Sequence, residues 1–154
     1  MVRRFAKKSA AAIASGVSSV GMNRVDDFLS ESLAGFATAH SDVVTLHSEP
    51  VFVRRKRLTQ GKVALISGGG SGHEPLHAGF VGYGMLDAAC PGQVFTSPTP
   101  DQMLAAAQAT DTGAGVLFIV KNYSGDVMAS TWNAGSRRCW RRSILFPHSR
   151  STML

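Results

Sequence analysis

Cysteine is almost absent from this sequence: Cys90 and Cys139 are the only two in 154 residues, and no C-x-x-C spacing joins them. Neither a disulfide framework nor a cysteine-based zinc site is indicated, no metal is expected, and a reducing, cytoplasmic setting is the default. Long apolar runs are missing as well. The longest, residues 115–120 (Gly-Val-Leu-Phe-Ile-Val), has the length of a strand, far short of the ~18 residues of a membrane span, so no membrane partner is expected. Acid is lacking at both ends. Residues 1–21 carry Arg3, Arg4, Lys7 and Lys8, and residues 129–154 carry Arg137, Arg138, Arg141, Arg142 and Arg150, with no Asp or Glu in either segment. The middle, residues 22–128, holds 7 bases against 10 acids, while the whole chain is +6. The basic balance therefore belongs to the ends, and a nucleic-acid partner, which needs a basic face on the fold, is not expected. With 44% hydrophobic residues in this length, the chain can build one core and hence one sizeable domain.

The first segment, residues 1–21, is rich in Arg, Ser and Ala, the composition of an organelle transit peptide and loosely that of a weak secretory signal. A plainer reading is favoured: Met22 directly precedes a helical pattern, so residues 1–21 form a disordered upstream extension. Val25, Phe28, Leu29, Leu33, Phe36 and Ala37 recur at helical spacing after Asn23, a candidate N-cap, and predict a helix ending near His40. Short extended stretches are expected at residues 43–46 and 51–53, with Pro50 suiting a sheet edge. The run Arg54-Arg55-Lys56-Arg57 reads as a solvated loop. Residues 62–66 (Lys-Val-Ala-Leu-Ile) predict a strand that stops at the glycine-rich run Ser67 to Gly72, because glycine contributes neither packing nor backbone order.

Another strand is expected at residues 93–96. Thr99 and Gln102 match a capping box with Pro100 in the first turn, predicting a helix to about Ala109, with Gly113 just beyond. Residues 115–120 read as a strand buried on both faces, as in parallel sheets. The alternation predicts an α/β fold with a mainly parallel sheet flanked by helices. From Ala129 the pattern breaks. Residues 129–154 show no period and are dense in arginine, so a disordered tail is expected, and the abrupt change is what a shifted reading frame would produce.

In open α/β sheets ligands gather beyond the carboxyl ends of the strands, here after Ile66 and Val120. The first loop reads Gly-Gly-Gly-Ser-Gly-His-Glu-Pro; its glycines permit close backbone approach, and His73 and Glu74 add titratable groups. It fits neither a P-loop nor a G-x-G-x-x-G register, which disfavours a nucleotide-binding oxidoreductase. The second loop offers Lys121, a cation able to hold a carbonyl or phosphate, and Asp126, a carboxylate able to take a hydroxyl proton. Taken singly, each residue has a structural alternative: His73 bonding backbone, Lys121 solvated, Glu74 and Asp126 capping helices. Two such loops at adjacent strand ends give a site and these structural roles about equal standing.

The run KVALISGGGSGHEPLHAGFVGYGMLDAACPGQVFTSPTPDQ, together with GVLFIVKNYSGD, resembles the amino-terminal part of the dihydroxyacetone (glycerone) kinase family's dihydroxyacetone-binding domain or subunit. VDDFLSESLAGFATAH and TLHSEPVFV are similar to that family's opening helix and first strands, so the resemblance covers residues 22–128. It implies a three-carbon ketose substrate and phosphoryl transfer to its hydroxyl, in glycerol and ketose metabolism. It puts the substrate loop on Gly70, Ser71, Gly72 and His73, with His73 as acid/base, Lys121 as substrate-binding cation and Asp126 as the carboxylate that activates the attacking hydroxyl. It further implies that this chain binds no cofactor, that the phosphoryl donor, ATP or a phosphorylated carrier, sits on a separate domain or subunit, and that the protein is a homodimer. In the family a histidine of the second half bonds the substrate's carbonyl carbon. That role is not carried onto His148, which has no family motif around it, and the expectation is a fragment impaired alone; the alternative is a nonenzymatic binding module or pseudogene product.

Overall fold

The computed structural model describes Arg24, residues 26–134 and residues 140–146. The expected extension at residues 1–21 and the tail beyond residue 146 lie outside the described residues. Two compact units divide between Phe36 and Ala37. The described part of the first is most of helix α1 (Phe28–Ala39), shorter at its start than the sequence pattern implies.

The second unit is built on a six-stranded sheet of β1 (Val44–Ser48), β2 (Val51–Arg55), β3 (Ala64–Ser71), β4 (Ala88–Val94), β5 (Val116–Lys121) and β6 (Trp140–Phe146), in the order β1-β2-β4-β3-β5-β6. β1 and β2 form an antiparallel hairpin that places β1 at the edge, and β2 pairs antiparallel with β4. The β4-β3, β3-β5 and β5-β6 pairs are parallel. The fold is thus α/β with a mainly parallel sheet.

Helices α2 (Pro100–Thr110) and α3 (Ser124–Ala134) follow β4 and β5. The α2 start is locally encoded: Gln102 N–H donates to Thr99 Oγ1 (3.4 Å) and Thr99 N–H to Gln102 Oε1 (2.8 Å). Gln102 Nε2 also donates to the carbonyls of Val51 and Pro91 (2.8 and 2.9 Å), tying the helix start to β2 and β4. The core lies on this helix side. Ala64, Ile66, Cys90, Phe118 and Val120 pack there against Met103, Ala106 and Ala129. Burial pushes the Cys90 thiol up to about 12, so it remains a small apolar side chain.

Four expectations are corrected. β3 does not stop at Ile66 but runs through the glycines to Ser71, because β4 pairs alongside it from Ile66↔Ala88 to Ser71↔Val94. The strand expected at residues 93–96 lies earlier, at β4, whose Pro91 and Gly92 disguise it; Phe95, with φ +52°, begins a turn. Arg54 and Arg55 belong to β2 and are not a solvated loop: Arg55 is buried and donates to Asp87 Oδ1 at 3.0 Å. Residues 129–134 continue α3 and residues 140–146 form β6, so those parts of the expected disordered tail are ordered. Ala129 closes the core against α2, and β6 is held by a backbone ladder along β5, which needs no side-chain period.

Asp87 links three strands. Its carboxylate accepts from Arg55 Nη1 (3.0 Å), Lys62 Nζ (2.6 Å) and Leu65 N–H (2.8 Å). Burial would push this carboxyl up, but the hydrogen bonds from Lys62, Leu65 and Arg55 and the Lys62 charge outweigh it and hold it below the usual carboxylate range.

Candidate functional site

The carboxyl ends of β3 and β5 carry every residue singled out from the sequence. Along β3 the side chains alternate, so Ile66, Gly68 and Gly70 point to the helix side while Ser67 and Gly69 point to the other. The missing side chains leave room for close neighbours. A Cβ on Gly70 would stand 2.6 Å from Thr96 N and 2.7 Å from Phe95 C, because the turn after β4 folds back over the strand. A Cβ on Gly69 would stand 2.7 Å from His77 Nε2 and 2.9 Å from Lys121 Nζ. The glycine run is therefore a strand stripped of side chains so that groups on both faces can approach its backbone.

Beyond β3 the loop is fixed by its own polar groups. Ser71 Oγ donates to the Gly92 carbonyl at 2.7 Å, so this hydroxyl holds β3 to β4. Gly72 N–H donates to the Glu74 carboxylate (3.0 and 3.2 Å), which turns Glu74 back onto the loop. His73 is exposed, and its ring meets Phe95 edge-on at 5.1 Å between centroids. Phe95, itself anchored by its N–H to the Ser71 carbonyl (2.8 Å), sets the position of this imidazole.

Lys121 ends β5 and shares its face with Ile119, the Ser67 and Gly69 face. Asp126 lies in the first turn of α3, on the helix side. Its carboxylate is buried, Oδ1 has no hydrogen-bond partner, and it borders a cavity of about 10 Å³ with Gly68, Cys90, Pro98 and Phe118. Such a cavity is about the size of one water position. Next to it opens a groove of about 810 Å³ between the β4–α2 and β5–α3 connections, lined by Phe95, Ser97, Pro98, Tyr123, Gly125 and Met128. The structure thus places Lys121 on the Gly69 face and Asp126 on the helix side, with His73 on the loop beyond β3 against Phe95; Lys121 and His73 both act electrostatically on His77, and among the described residues no ion pair joins Lys121 to Asp126.

Two residues at this site escape sequence reasoning. Ser97 approaches the start of α3, its Oγ 2.6 Å from where a Cβ on Gly125 would stand. His77 is 8% exposed, with Nδ1 3.1 Å from Ser67 Oγ and Nε2 buried without a partner. Burial, then the charges of Lys121 and His73, lower its pKa to about 4, so the ring is neutral at physiological pH. No periodicity marks either residue in the sequence; both owe their place to contacts made in three dimensions.

Chemically, the arrangement offers an ammonium at the end of β5, an exposed imidazole on the loop after β3 and a buried carboxylate on the helix side, the groups needed to hold an oxygen and to move a hydroxyl proton. The chain is 56% identical over 108 residues to the dihydroxyacetone-binding subunit DhaK of the PEP-dependent dihydroxyacetone kinase of Escherichia coli (strain K12), a match covering 70% of this chain and 30% of that protein. The crystal structure of the dihydroxyacetone kinase of C. freundii in complex with AMP-PNP and Mg2+ superposes with a TM-score of 0.76 at 40% identity, over 84% of this chain and 25% of that one. A structure described as the dihydroxyacetone kinase operon co-activator DhaQ superposes with a TM-score of 0.70 at 34% identity, over 75% of this chain and 36% of that one. The chain spans about a third or less of the length of these relatives. The Dak1 domain matches residues 34–138, and with that match across β1 to β5 and both candidate loops, the chain belongs to the Dak1 domain family, that of the dihydroxyacetone kinases.

Proposed function

We propose that this chain carries ketose-binding elements of a dihydroxyacetone kinase and takes part in phosphoryl transfer to a hydroxyl of dihydroxyacetone. The observation that carries the reading is the strand-end junction, where Lys121 Nζ approaches the side-chain-free backbone at Gly69, His73 follows on the loop after β3, and Asp126, whose Oδ1 has no partner, borders a cavity with Gly68. In this reading Gly70, Ser71, Gly72 and His73 receive the ketose and Lys121 holds its oxygen. Asp126, with His73, takes the hydroxyl proton as the phosphoryl group arrives. The buried Ser71 hydroxyl then acts by holding the loop, and its neighbours contribute backbone. The donor, ATP or a phosphorylated carrier, sits on a separate domain or subunit, the working protein is a homodimer, and the setting is cytoplasmic. Among the described residues no helix is long and apolar enough to cross a membrane.

In-line transfer needs a fixed carbonyl, a base and a donor together, and this reading assigns only the base and the binding groups to these residues. The 154-residue chain alone is therefore expected to bind dihydroxyacetone weakly and not to phosphorylate it with ATP. Titrating dihydroxyacetone into the chain, followed by amide chemical shifts, tests the reading. Binding should centre on residues 70–73 and weaken in His73→Ala and Asp126→Ala. Unchanged binding in both variants would overturn it, and turnover by the chain alone would overturn the division of labour. The likeness to a co-activator structure favours one second reading, a ketose-binding module without catalysis. Ketose binding that persists with no phosphoryl transfer when donor subunits are supplied would select it.

A further inference from the structure

We infer that His77 is a positioning residue for Lys121: a neutral imidazole, its tautomer set by Ser67, that offers the Nε2 lone pair to the lysine ammonium above Gly69. The inference rests on the reading of Lys121 as the ketose-holding cation. The Ser67 hydroxyl has one proton, and at 2.8 Å from the Ile119 carbonyl it donates there. The same oxygen lies 3.1 Å from His77 Nδ1, so in that contact it must accept, and Nδ1 carries the hydrogen. Nε2 is then left with a lone pair. That nitrogen is sealed from solvent and has no protein partner within hydrogen-bond distance, in a residue 8% exposed. An orphaned acceptor of this kind costs free energy unless something nearby donates to it.

Lys121 is the donor at hand. Its Nζ and His77 Nε2 both lie within 3 Å of the single point where a Cβ on Gly69 would stand, so the two nitrogens share the space that the glycine vacates. The charged and titratable groups acting on His77 are Lys121, from the end of β5, and His73, from the loop after β3. Both are bases, and both disfavour the imidazolium, so the ring stays an acceptor at neutral pH. A neutral acceptor has a specific advantage here. A carboxylate would fix the ammonium but quench its charge, whereas an imidazole restrains the flexible stem and leaves the positive charge for a ligand oxygen.

The test begins with the unaltered chain. Long-range ¹H–¹⁵N correlation of the His77 ring at neutral pH should show the neutral Nδ1–H tautomer; an Nε2–H tautomer or an imidazolium would overturn the inference. The second measurement is the Lys121 titration, read from its ¹³Cε shift. It should move to lower pH in His77→Leu, which removes the acceptor, and return toward the original midpoint in His77→Gln, whose amide oxygen replaces it. A midpoint unchanged in a folded His77→Leu would also overturn the inference. Dihydroxyacetone affinity should fall about tenfold in His77→Leu, the equivalent of one hydrogen bond of about 1.4 kcal/mol. The tautomer and the lysine titration need no ketose. Success in both with no ketose binding would therefore count against the proposed function and leave the His77–Lys121 pairing standing.

Discussion

Replacing Asp87 by Asn tests whether the buried charge cluster holds β2, β3 and β4 together. The carboxylate is 3% exposed and accepts from Arg55, Lys62 and the Leu65 amide. Asn keeps an acceptor for Leu65 N–H but removes the charge that compensates Arg55, whose guanidinium is itself buried. Removing one member of a buried pair costs about 3–5 kcal/mol. Lys62 is 35% exposed and recovers water, so the loss belongs near the lower end, about 3 kcal/mol. At about 2–4 °C per kcal/mol for a domain of 150–250 residues, the thermal midpoint should drop by about 6–12 °C. Urea and thermal unfolding followed by circular dichroism read both quantities. Acid gives an independent check. Asp87 has its folded pKa below the ordinary 3.8, so its contribution is fully present above that value and is lost as pH falls through the folded pKa. The Asn variant should lack that part of the acid loss. A paired Arg55→Met, Asp87→Asn variant should recover much of the stability, since it removes the unpaired guanidinium and keeps an acceptor for Leu65 N–H. A destabilisation of Asp87→Asn below about 1 kcal/mol would refute the argument that Arg55 depends on this charge.

Gly70→Ala drives a Cβ to 2.6 Å from the Thr96 backbone nitrogen and should cost about 1–3 kcal/mol in urea unfolding; a neutral result would show that residues 95–96 do not close over β3. His77 is neutral down to about pH 4, against an ordinary 6.5, so below pH 6.5 the unfolded chain takes up the proton first. Stability should therefore fall as pH drops from 6.5 toward 4, by about 2–3 kcal/mol after discounting residual solvent access, and should be flat in this contribution above 6.5. His77→Leu should remove that acid-side loss, and a profile identical to the parent's would contradict it. Thr99→Ala deletes the side-chain half of the α2 cap and should lower stability by about 1 kcal/mol, with the loss read as a shift in the urea midpoint.

What the sequence reveals is what local chemistry decides. The Thr99–Gln102 box and Pro100 announce α2 because all of its starting signals lie within four residues, and the structure realises both hydrogen bonds. The run from Val116 to Val120 announces β5 by its apolar content alone. The glycines of β3 could not be recognised as a strand, since their extended backbone is imposed by β4 on one side and their lack of side chains is demanded by neighbours above and below. β4 was hidden for a related reason: a Pro-Gly pair inside a buried strand contradicts every local preference. Arg55 reads as one of four loop bases, and only Asp87, 32 residues away, makes it a core residue. At the candidate site, His73, Lys121 and Asp126 stand out because they sit beside glycines at strand ends. His77 does not, because a buried imidazole is defined by what encloses it.

The glycine strand also works as an insulator. Lys121 and Asp126 are five positions apart, bracketing the turn that leads from β5 into α3, and in an open loop a lysine and an aspartate so placed would neutralise each other. Here a ribbon of backbone one strand thick separates them: the ammonium lies over Gly69 on one face, and the carboxylate faces the Gly68 cavity on the other. The two side chains are kept on opposite faces of a single strand, and a ligand that touches both must reach round its end.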